Sequence, residues 1–438
     1  MLMQTIEIKR TVPTAGKYDV VVCGGGCAGL TAAISAARCK MKVALIERYG
    51  FFGGTATAGY VVPMSGFFFE GKRVVGGIAW ELVSRLERLG AALVEYPKGH
   101  VSYDPEYYKL IAEEMLTEAG VDLYTNSYIS DCVTEGNRLT SVIIESKSGS
   151  EAISADCFID ATGDGDVFRL SGCEFLPEKK SEVQPLSLCF VLTGVDVTTP
   201  LLRDCIHHNG FEGKNSKNTE IAAFLSSLYN EGKAPKFGGP WFNTLLCGDA
   251  LSVNVTRAEA DATDRASYSE AERQLRRDMF KIVSLLRERY PEFKNCKIVS
   301  SGINAGIRES RRIKGLYTVS AEDFQSGKVF ECPVAHAAHP MDIHSSKDEK
   351  QVLIYLKRDA FVPYETMIGD RITNLIAAGR CISAEDGPYA SLRVQATLMS
   401  IGECAGIAAS LCAANGVSVS DLPRDLLCRM IKERGVVL

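Results

Sequence analysis

The sequence predicts an α/β protein: a discontinuous Rossmann-like domain, three-layered around a mostly parallel sheet, with an α+β domain inserted into it. Three observations lead there. Residues 24–29 read GGGCAG between an apolar strand and an alanine-rich helix. A second strand follows that helix and ends in Glu47. Apolar strands that stop at glycine then return at Phe158 to Asp164 (FIDATGD) and at Asn374 to Arg380 (NLIAAGR), so the chain leaves its first domain and comes back to it.

The opening elements follow from their patterning. Tyr18 to Cys23 (YDVVVC) and Lys42 to Glu47 (KVALIE) are continuous apolar runs, as strands buried on both faces require, and Ala28 to Cys39 is a helix of small residues between them. Together they make a βαβ unit of about 30 residues. Helices are predicted from about Gly77 to Leu89 and from Pro105 to Ala119, a strand from Val121 to Tyr124, a hairpin turning at Glu135 to Asn137, and a strand at Cys157 to Asp160. From Pro185 to Val195 a new apolar strand begins a stretch of different texture, with polar loops, a charged helix near Ser267 to Arg289, and clustered Arg and His. Asn374 to Gly379 is again a buried strand, and Ser391 to Ala413 reads as one small-residue helix packing on the sheet. The expected division is 17–184, with a helical and loop insertion at 60–120, then 185–370, then 371–438 as the return to the first domain.

Composition narrows the functional classes. The 49 basic and 54 acidic residues, net charge -5, speak against a nucleic-acid partner or an anionic membrane surface. No apolar run of the roughly 20 residues that cross a bilayer is apparent, and the first 17 residues lack a signal-peptide core, so a cytoplasmic location is expected. The 15 cysteines include no C-x-x-C pair, which leaves zinc ribbons, ferredoxin-type clusters and dithiol redox motifs without their spacing. Reduced, mostly buried thiols are expected, Cys23 and Cys27 included.

Gly24, Gly26 and Gly29 occupy the G-x-G-x-x-G positions. The first allows the tight turn, the second lets backbone approach a pyrophosphate, and the third lets helix and strand pack closely. The helix N-terminus adds unpaired N–H groups and the positive end of its dipole. Glu47 stands 18 residues after Gly29 (47 minus 29), where a carboxylate accepts hydrogen bonds from ribose hydroxyls and repels a 2′-phosphate. This much specifies a dinucleotide without choosing between FAD and NAD. The choice of FAD comes from Gly53 and Gly54 in FGGTAT, whose backbone can pass close to a ribityl chain and flavin edge, and from the later segments carrying Ala161, Gly163, Asp164, Gly379 and Arg380.

The segments DVVVCGGGCAGLTAA, GFFGGTATAG, FIDATGDGD, GIRESRRIKG, HPMDIH and NLIAAGRCIS, followed by the SLRV helix start, resemble the FAD-dependent oxidoreductase family. That family is built on the glutathione-reductase-like FAD domain and is related to the fumarate reductase and succinate dehydrogenase flavoproteins. The resemblance runs from Asp19 to about Ala413. It implies that Gly24, Gly26, Gly29, Glu47, Arg48, Gly54, Thr55, Gly163 and Arg380 line FAD. It also implies that Ser391, Leu392 and Val394 begin a helix whose N-terminus faces the flavin pyrimidine ring. Two departures stand out. Ala384, Glu385 and Asp386 follow AGRCIS where a histidine is often found, and Tyr49 to Phe52 precede the paired glycines where covalent flavoproteins carry a histidine. Noncovalent FAD is therefore expected.

Flavin chemistry needs a substrate carbon over the ring, a group to move the companion proton, and donors for negative charge. Arg308 and Arg312, on one face if their segment is helical, are candidates for holding a carboxylate or carbonyl, against a plain salt-bridging role with Glu309. His336, His339 and His344 place three of the six histidines within nine residues. Pro340 and the lack of a helical pair argue against a metal, and Asp342 with His344 is the expected proton donor. Arg393 is a candidate for substrate or reduced-flavin stabilisation, and Phe67 to Phe69 are expected to pack at the domain interface. The function expected is an FAD-dependent enzyme that moves hydride between flavin N5 and a small polar or carboxylate-bearing molecule, in either direction. With no second glycine fingerprint, electrons would come from an external donor or acceptor or from the substrate. An NAD-dependent Rossmann dehydrogenase and a non-redox biosynthetic protein akin to thiazole synthase are the alternatives. The oligomeric state is left open.

Overall fold

The computed structural model describes residues 6–7, 9–95, 100–177, 183–203, 219–245, 250–345 and 351–437. In chain order it begins with β1 (Thr14–Cys23), α1 (Cys27–Arg38), β2 (Val43–Ile46), α2 (Gly77–Arg88), α3 (Pro105–Ala119) and β3 (Asp122–Tyr124). The meander β4 (Tyr128–Glu135), β5 (Arg138–Ser146) and β6 (Gly149–Asp160) follows. Next come β7 (Phe190–Thr193), β8 (Phe237–Thr244), β9 (Leu251–Thr256), α4 (Arg265–Arg289) and β10 (Lys297–Ser301). The chain continues through β11 (Pro333–Ala337), β12 (Met341–His344), β13 (Gln351–Ile354), β14 (Ala360–Pro363), β15 (Leu375–Ala377), α5 (Asp386–Leu392) and α6 (Gln395–Asn415).

The main sheet has the order β3-β2-β1-β6-β5-β4, with β15 also on β6. Strands β3, β2, β1, β6 and β15 are mutually parallel, and the apolar runs read from the sequence are buried there. The long strand β6 serves two partners: Gly149 to Ser154 run antiparallel to β5, and Phe158 to Asp160 run parallel to β15. A strand from late in the chain thereby joins the sheet next to β6, one strand away from β1. A second, antiparallel sheet, β8-β9-β7-β10, keeps its own apolar cluster with α4, including Phe190, Phe242, Val253, Ile282, Leu286 and Phe293.

Helix α6 packs on α1 at backbone distance. A Cβ on Gly402 would lie 2.1 Å from the Ala28 carbonyl oxygen, and one on Gly406 would lie 2.4 Å from that of Ala32. Thr31 and Ser35 donate across the same seam to the carbonyls of Met399 (2.8 Å) and Glu403 (2.9 Å), each bond worth about 1 kcal/mol. The absence of an apolar span expected from the sequence is corrected here. Among the described residues one helix, α6, is long and apolar enough to cross a bilayer, but 89% of its most apolar window is buried in the fold.

Three further expectations change. The strand expected over Pro185 to Val195 is confined to β7, because Leu186 and Ser187 form isolated bridges to Ala258 and Gly306 instead. The segment carrying Arg308 and Arg312 is not helical; Ile313 and Leu316 hydrogen-bond to the Cys381 and Ile368 carbonyls, so its backbone is tied outward. The single helix expected over Ser391 to Ala413 is two: α5 ends at Leu392, and α6 starts afresh after Val394.

Candidate active site

The GGGCAG turn is held from three sides. Gly24 has φ +101°, and its N–H donates to Ile46 O at 2.8 Å. Glu47 Oε2 accepts from Gly25 N at 2.7 Å, and its Oε1 accepts from Tyr49 N at 3.0 Å, so both oxygens are fixed while lone pairs remain for a ligand. Burial pushes the Glu47 carboxyl upward, a shift those two amides oppose. The paired glycines dock on the turn: Gly53 N donates to Gly25 O at 2.8 Å, and a Cβ on Gly54 would stand 2.8 Å from Gly26 Cα.

FIDATGD is organised by Asp160, which is fully buried and accepts from Thr162 Oγ1 (2.7 Å), Val167 N (2.9 Å) and Phe168 N (3.0 Å). This bend presents Gly163 and Asp164, and Asp164 Oδ1 accepts from Arg380 Nη2 at 3.1 Å and from Ser310 Oγ at 2.6 Å. The two returning strand-glycine segments therefore meet.

These groups line one cavity of about 1060 Å³, beyond the roughly 300–1,000 Å³ usual for a single small ligand. Gly24, Gly26, Glu47, Arg48, Gly54, Thr55, Ala161, Gly163, Asp164, Gly379, Arg380 and Val394 are on its wall, as are Arg308, Asp342, His344 and Arg393. Five expected residues are not. Gly29 lies beneath the turn, where a Cβ would meet Gly24 O at 1.8 Å; Gly53 sits behind it, where a Cβ would meet Thr57 and Tyr108; and Ser391 and Leu392 are buried in α5, with Ser391 Oγ donating to His339 O. Arg312 is also off the wall. Its guanidinium bonds Ala384 O and Asp386 Oδ1, each at 2.7 Å, pairs with Glu309 at 3.3 Å and covers the Tyr389 ring, which is a structural role.

One part of the cavity wall is electrically unusual. His336 lies on β11, and Asp342 and His344 lie on β12. The hairpin β12–β13 presents Asp342, His344, Gln351 and Leu353 on the cavity wall. Asp342 Oδ2 lies 3.0 Å from His344 Nε2, and Gln351 Nε2 donates to Oδ1 at 2.5 Å. Burial would raise the Asp342 carboxyl, but the His344 hydrogen bond and the Arg393 charge hold it well below the carboxylate range. Burial, then Arg308, push His344 well below the usual histidine range, so the ring is neutral. Its Nε2–H donates to the carboxylate and Nδ1 carries a free lone pair. Arg393 Nη2 donates to Asp342 O (2.7 Å) and Gln184 Oε1 (3.1 Å), and Gln184 Oε1 also accepts from His344 N at 3.1 Å. His336 lies elsewhere, its ring 5.5 Å from Phe69 and 4.8 Å from Phe361.

Sequence reasoning missed Arg257, Gln184, Gln351, Trp241 and Asn243. Trp241 and Asn243 alternate along β8 and so share a face toward the cavity, which their spacing of two signals. The others had no signal in the chain. Phe68 and Phe69, expected to pack only at an interface, line the cavity, while Phe67 is buried. Cys27 donates to Gly53 O, and burial pushes its thiol up to about 11, which makes it inert.

A glycine turn ahead of a helix, an acid at the second strand, and a cavity joining them to a charged pocket define a dinucleotide-dependent oxidoreductase of the α/β class. The chain belongs to the FAD dependent oxidoreductase family, whose model matches residues 19–431. Its cofactor is FAD, and it is an enzyme. It is 29% identical over 197 residues to digeranylgeranylglycerophospholipid reductase 2 of Methanothermobacter thermautotrophicus, covering 41% of this chain and 48% of that one. It is 49% identical over 47 residues to dihydrolipoyl dehydrogenase of Trypanosoma brucei brucei, covering 11% of this chain and 10% of that one. The chain thus matches about half the length of one curated relative and a tenth of the other. Among solved structures, the flavin-dependent brominase Bmp2 superposes with TM-score 0.51 at 14% identity, over 95% of this chain and 84% of that one, a likeness of fold. A geranylgeranyl bacteriochlorophyll reductase-like protein of Thermoplasma acidophilum gives TM-score 0.49 at 14% identity, over 96% and 84%.

The residues present fit FAD. The Gly26–Gly54 contact leaves a backbone cradle that any side chain would fill, and a Cβ on Gly163 would stand 2.6 Å from the Arg380 guanidinium. At the start of α6, Gln395 Oε1 is buried without a partner while its Nε2 donates to Val61 O at 2.8 Å.

Proposed function

We propose that this enzyme transfers hydride between FAD and a small carboxylate-bearing organic substrate, with Arg308 and Arg393 holding the carboxylate and His344 moving the proton. The observation that carries it is that these side chains and Asp342 line the same cavity as the glycine turn.

When bound, FAD supplies a two-electron acceptor and donor at N5. Gly24, Gly26 and the start of α1 would hold its pyrophosphate, Glu47 a ribose, Gly54, Thr55, Asp164 and Arg380 the middle of the molecule, and the start of α6 the pyrimidine edge. The remaining steps belong to the chain. Arg308 and Arg393 orient the substrate by charge-assisted hydrogen bonds. Asp342 fixes the His344 ring and its tautomer, leaving Nδ1 to take a proton from a hydroxyl, amine or activated carbon. A neutral His344 reads as the acceptor in substrate oxidation, where the sequence suggested a donor; in reduction the same atom returns the proton. The hairpin β12–β13 and Trp241 limit the water at that part of the wall. FAD is held without a covalent bond, and an external donor or acceptor completes the cycle.

Anaerobic stopped-flow mixing of the yellow holoenzyme with hydroxy acids, amino acids and simple amines, and of its photoreduced form with enoates and keto acids, tests this. A carboxylate-bearing compound is expected to bleach or restore the flavin band. A response confined to uncharged analogues would refute the reading.

A further inference from the structure

Ser187 Oγ accepts from two arginines at once, Arg257 Nη1 at 2.6 Å and Arg308 Nη1 at 2.7 Å, and donates its own hydrogen to Thr256 O at 2.9 Å. One neutral hydroxyl therefore holds two like charges together. Arg257 is 2% exposed, lies against Trp241 at 5.4 Å, and has room only because residue 238 is glycine, where a Cβ would stand 2.5 Å from its Nε. Its Nη2 and the Nε of Arg393 are buried without hydrogen-bond partners. Among the described residues neither Arg257 nor Arg308 is ion-paired. The carboxylate whose field reaches both, Asp342, is already engaged by His344 at 3.0 Å and Arg393 at 3.7 Å.

Guanidinium groups do not lose their charge in proteins, so the repulsion here has no escape by deprotonation. Burial and then Arg393 push Arg257 down to about 10, and burial, Arg257 and Arg393 hold Arg308 well below the usual arginine range, so the geometry leaves both charges poorly compensated. Three guanidinium charges face one carboxylate and a neutral imidazole, so two positive charges are left for a ligand. A single monoanion would leave one buried cation unpaired, the costly arrangement for a low-dielectric site.

We infer that Arg257, Arg308 and Arg393 form a site for the doubly charged anionic part of the substrate, with Ser187 as the positioning residue that sets the spacing of two of them. Arg308 and Arg393 are on the cavity wall and touch the anion; Arg257 stands one hydroxyl behind it and supplies the second charge. This rests on the substrate-site reading above and narrows it from a carboxylate to a dianion.

The test uses the holoenzyme at pH 8, with malonate, inorganic phosphate and acetate as probes and the flavin difference spectrum as readout. Wild type is expected to bind at least one dianion about tenfold or more tighter than acetate. Arg257→Met should remove most of that ratio, and Arg257→Lys should keep part of it. Ser187→Ala, a smaller change that serves if Arg257→Met does not fold, should also lower the ratio. A structural role for Arg257 would weaken all three probes alike, and that result, or acetate binding as tightly as both dianions, overturns the inference. Phosphate binding without malonate keeps the dianion site and removes the carboxylate substrate. Malonate and acetate binding alike, with phosphate no tighter than either, overturns the dianion site and keeps the carboxylate substrate.

Discussion

Asp342 Oδ2 and His344 Nε2 stand 3.0 Å apart on one face of a two-stranded hairpin, two residues from one another in the chain. Period-two alternation along β12 brings them together without any long-range contact. His344→Gln should keep FAD and lose about 10²–10⁴-fold in turnover. Because His344 is depressed below the usual histidine range, the base stays unprotonated as the pH falls. The rate of substrate oxidation should therefore hold through pH 6.5 and fall only well below it. An acid limb centred near 6.5 in wild type would show that another group takes the proton.

Glu47 ties the glycine turn through Gly25 and leaves lone pairs for a ribose. Replacement by Ala removes a charge-assisted acceptor worth about 1.5–3 kcal/mol, so FAD should bind about 10–100-fold more weakly. Fluorescence titration of apoprotein with FAD measures this, with far-UV circular dichroism expected to stay unchanged. Unaltered affinity would remove Glu47 from the cofactor site.

Gly402 has no room for a side chain against the Ala28 carbonyl. Gly402→Val should separate α6 from α1, cost about 1–3 kcal/mol or more in urea unfolding, and release FAD, since both helices begin at the cavity. A stable variant that retains full FAD would show that the seam tolerates spreading.

Glu403, 2% exposed, accepts from Ile78 N at 2.7 Å at the start of α2, and burial pushes its carboxyl up to about 7 from an ordinary 4.5. Between those two values the folded protein keeps a proton that the unfolded chain has released. The stability this group contributes is therefore full below about 4.5 and declines as the pH rises to 7, by at most about 3 kcal/mol. Glu403→Gln keeps an acceptor and loses the titration. Thermal melts should show it matching wild type near pH 4.5 and exceeding it at pH 8; parallel curves would disprove the assignment.

The cofactor site was legible because its chemistry is local. Gly24, Gly26 and Glu47 are fixed by a turn, a helix start and a strand end within about 30 residues, and each leaves a mark in the chain. The sequence left open whether Arg308 and Arg312 lie on a helix; tertiary backbone pairing of the adjoining Ile313 and Leu316 with Cys381 and Ile368, which no local pattern announces, keeps the segment out of a helix. The break between Leu392 and Gln395 was hidden because small apolar residues on both sides carry no stop signal. Arg257 left no trace: one basic residue after an apolar strand is usually solvated, and only the second sheet folding over it makes it a buried charge.

The pairing of β15 with β6 and the seam between α6 and α1 also set an order in time. As synthesis proceeds, the first strands emerge with one edge of β6 open and the inner face of α1 bare until residues beyond about 375 are released. The helix that should meet the flavin pyrimidine is made after the turn that should meet the phosphates. A partly made chain therefore exposes both an unpaired strand edge and an apolar helix face, the surfaces on which nascent proteins aggregate and chaperones act.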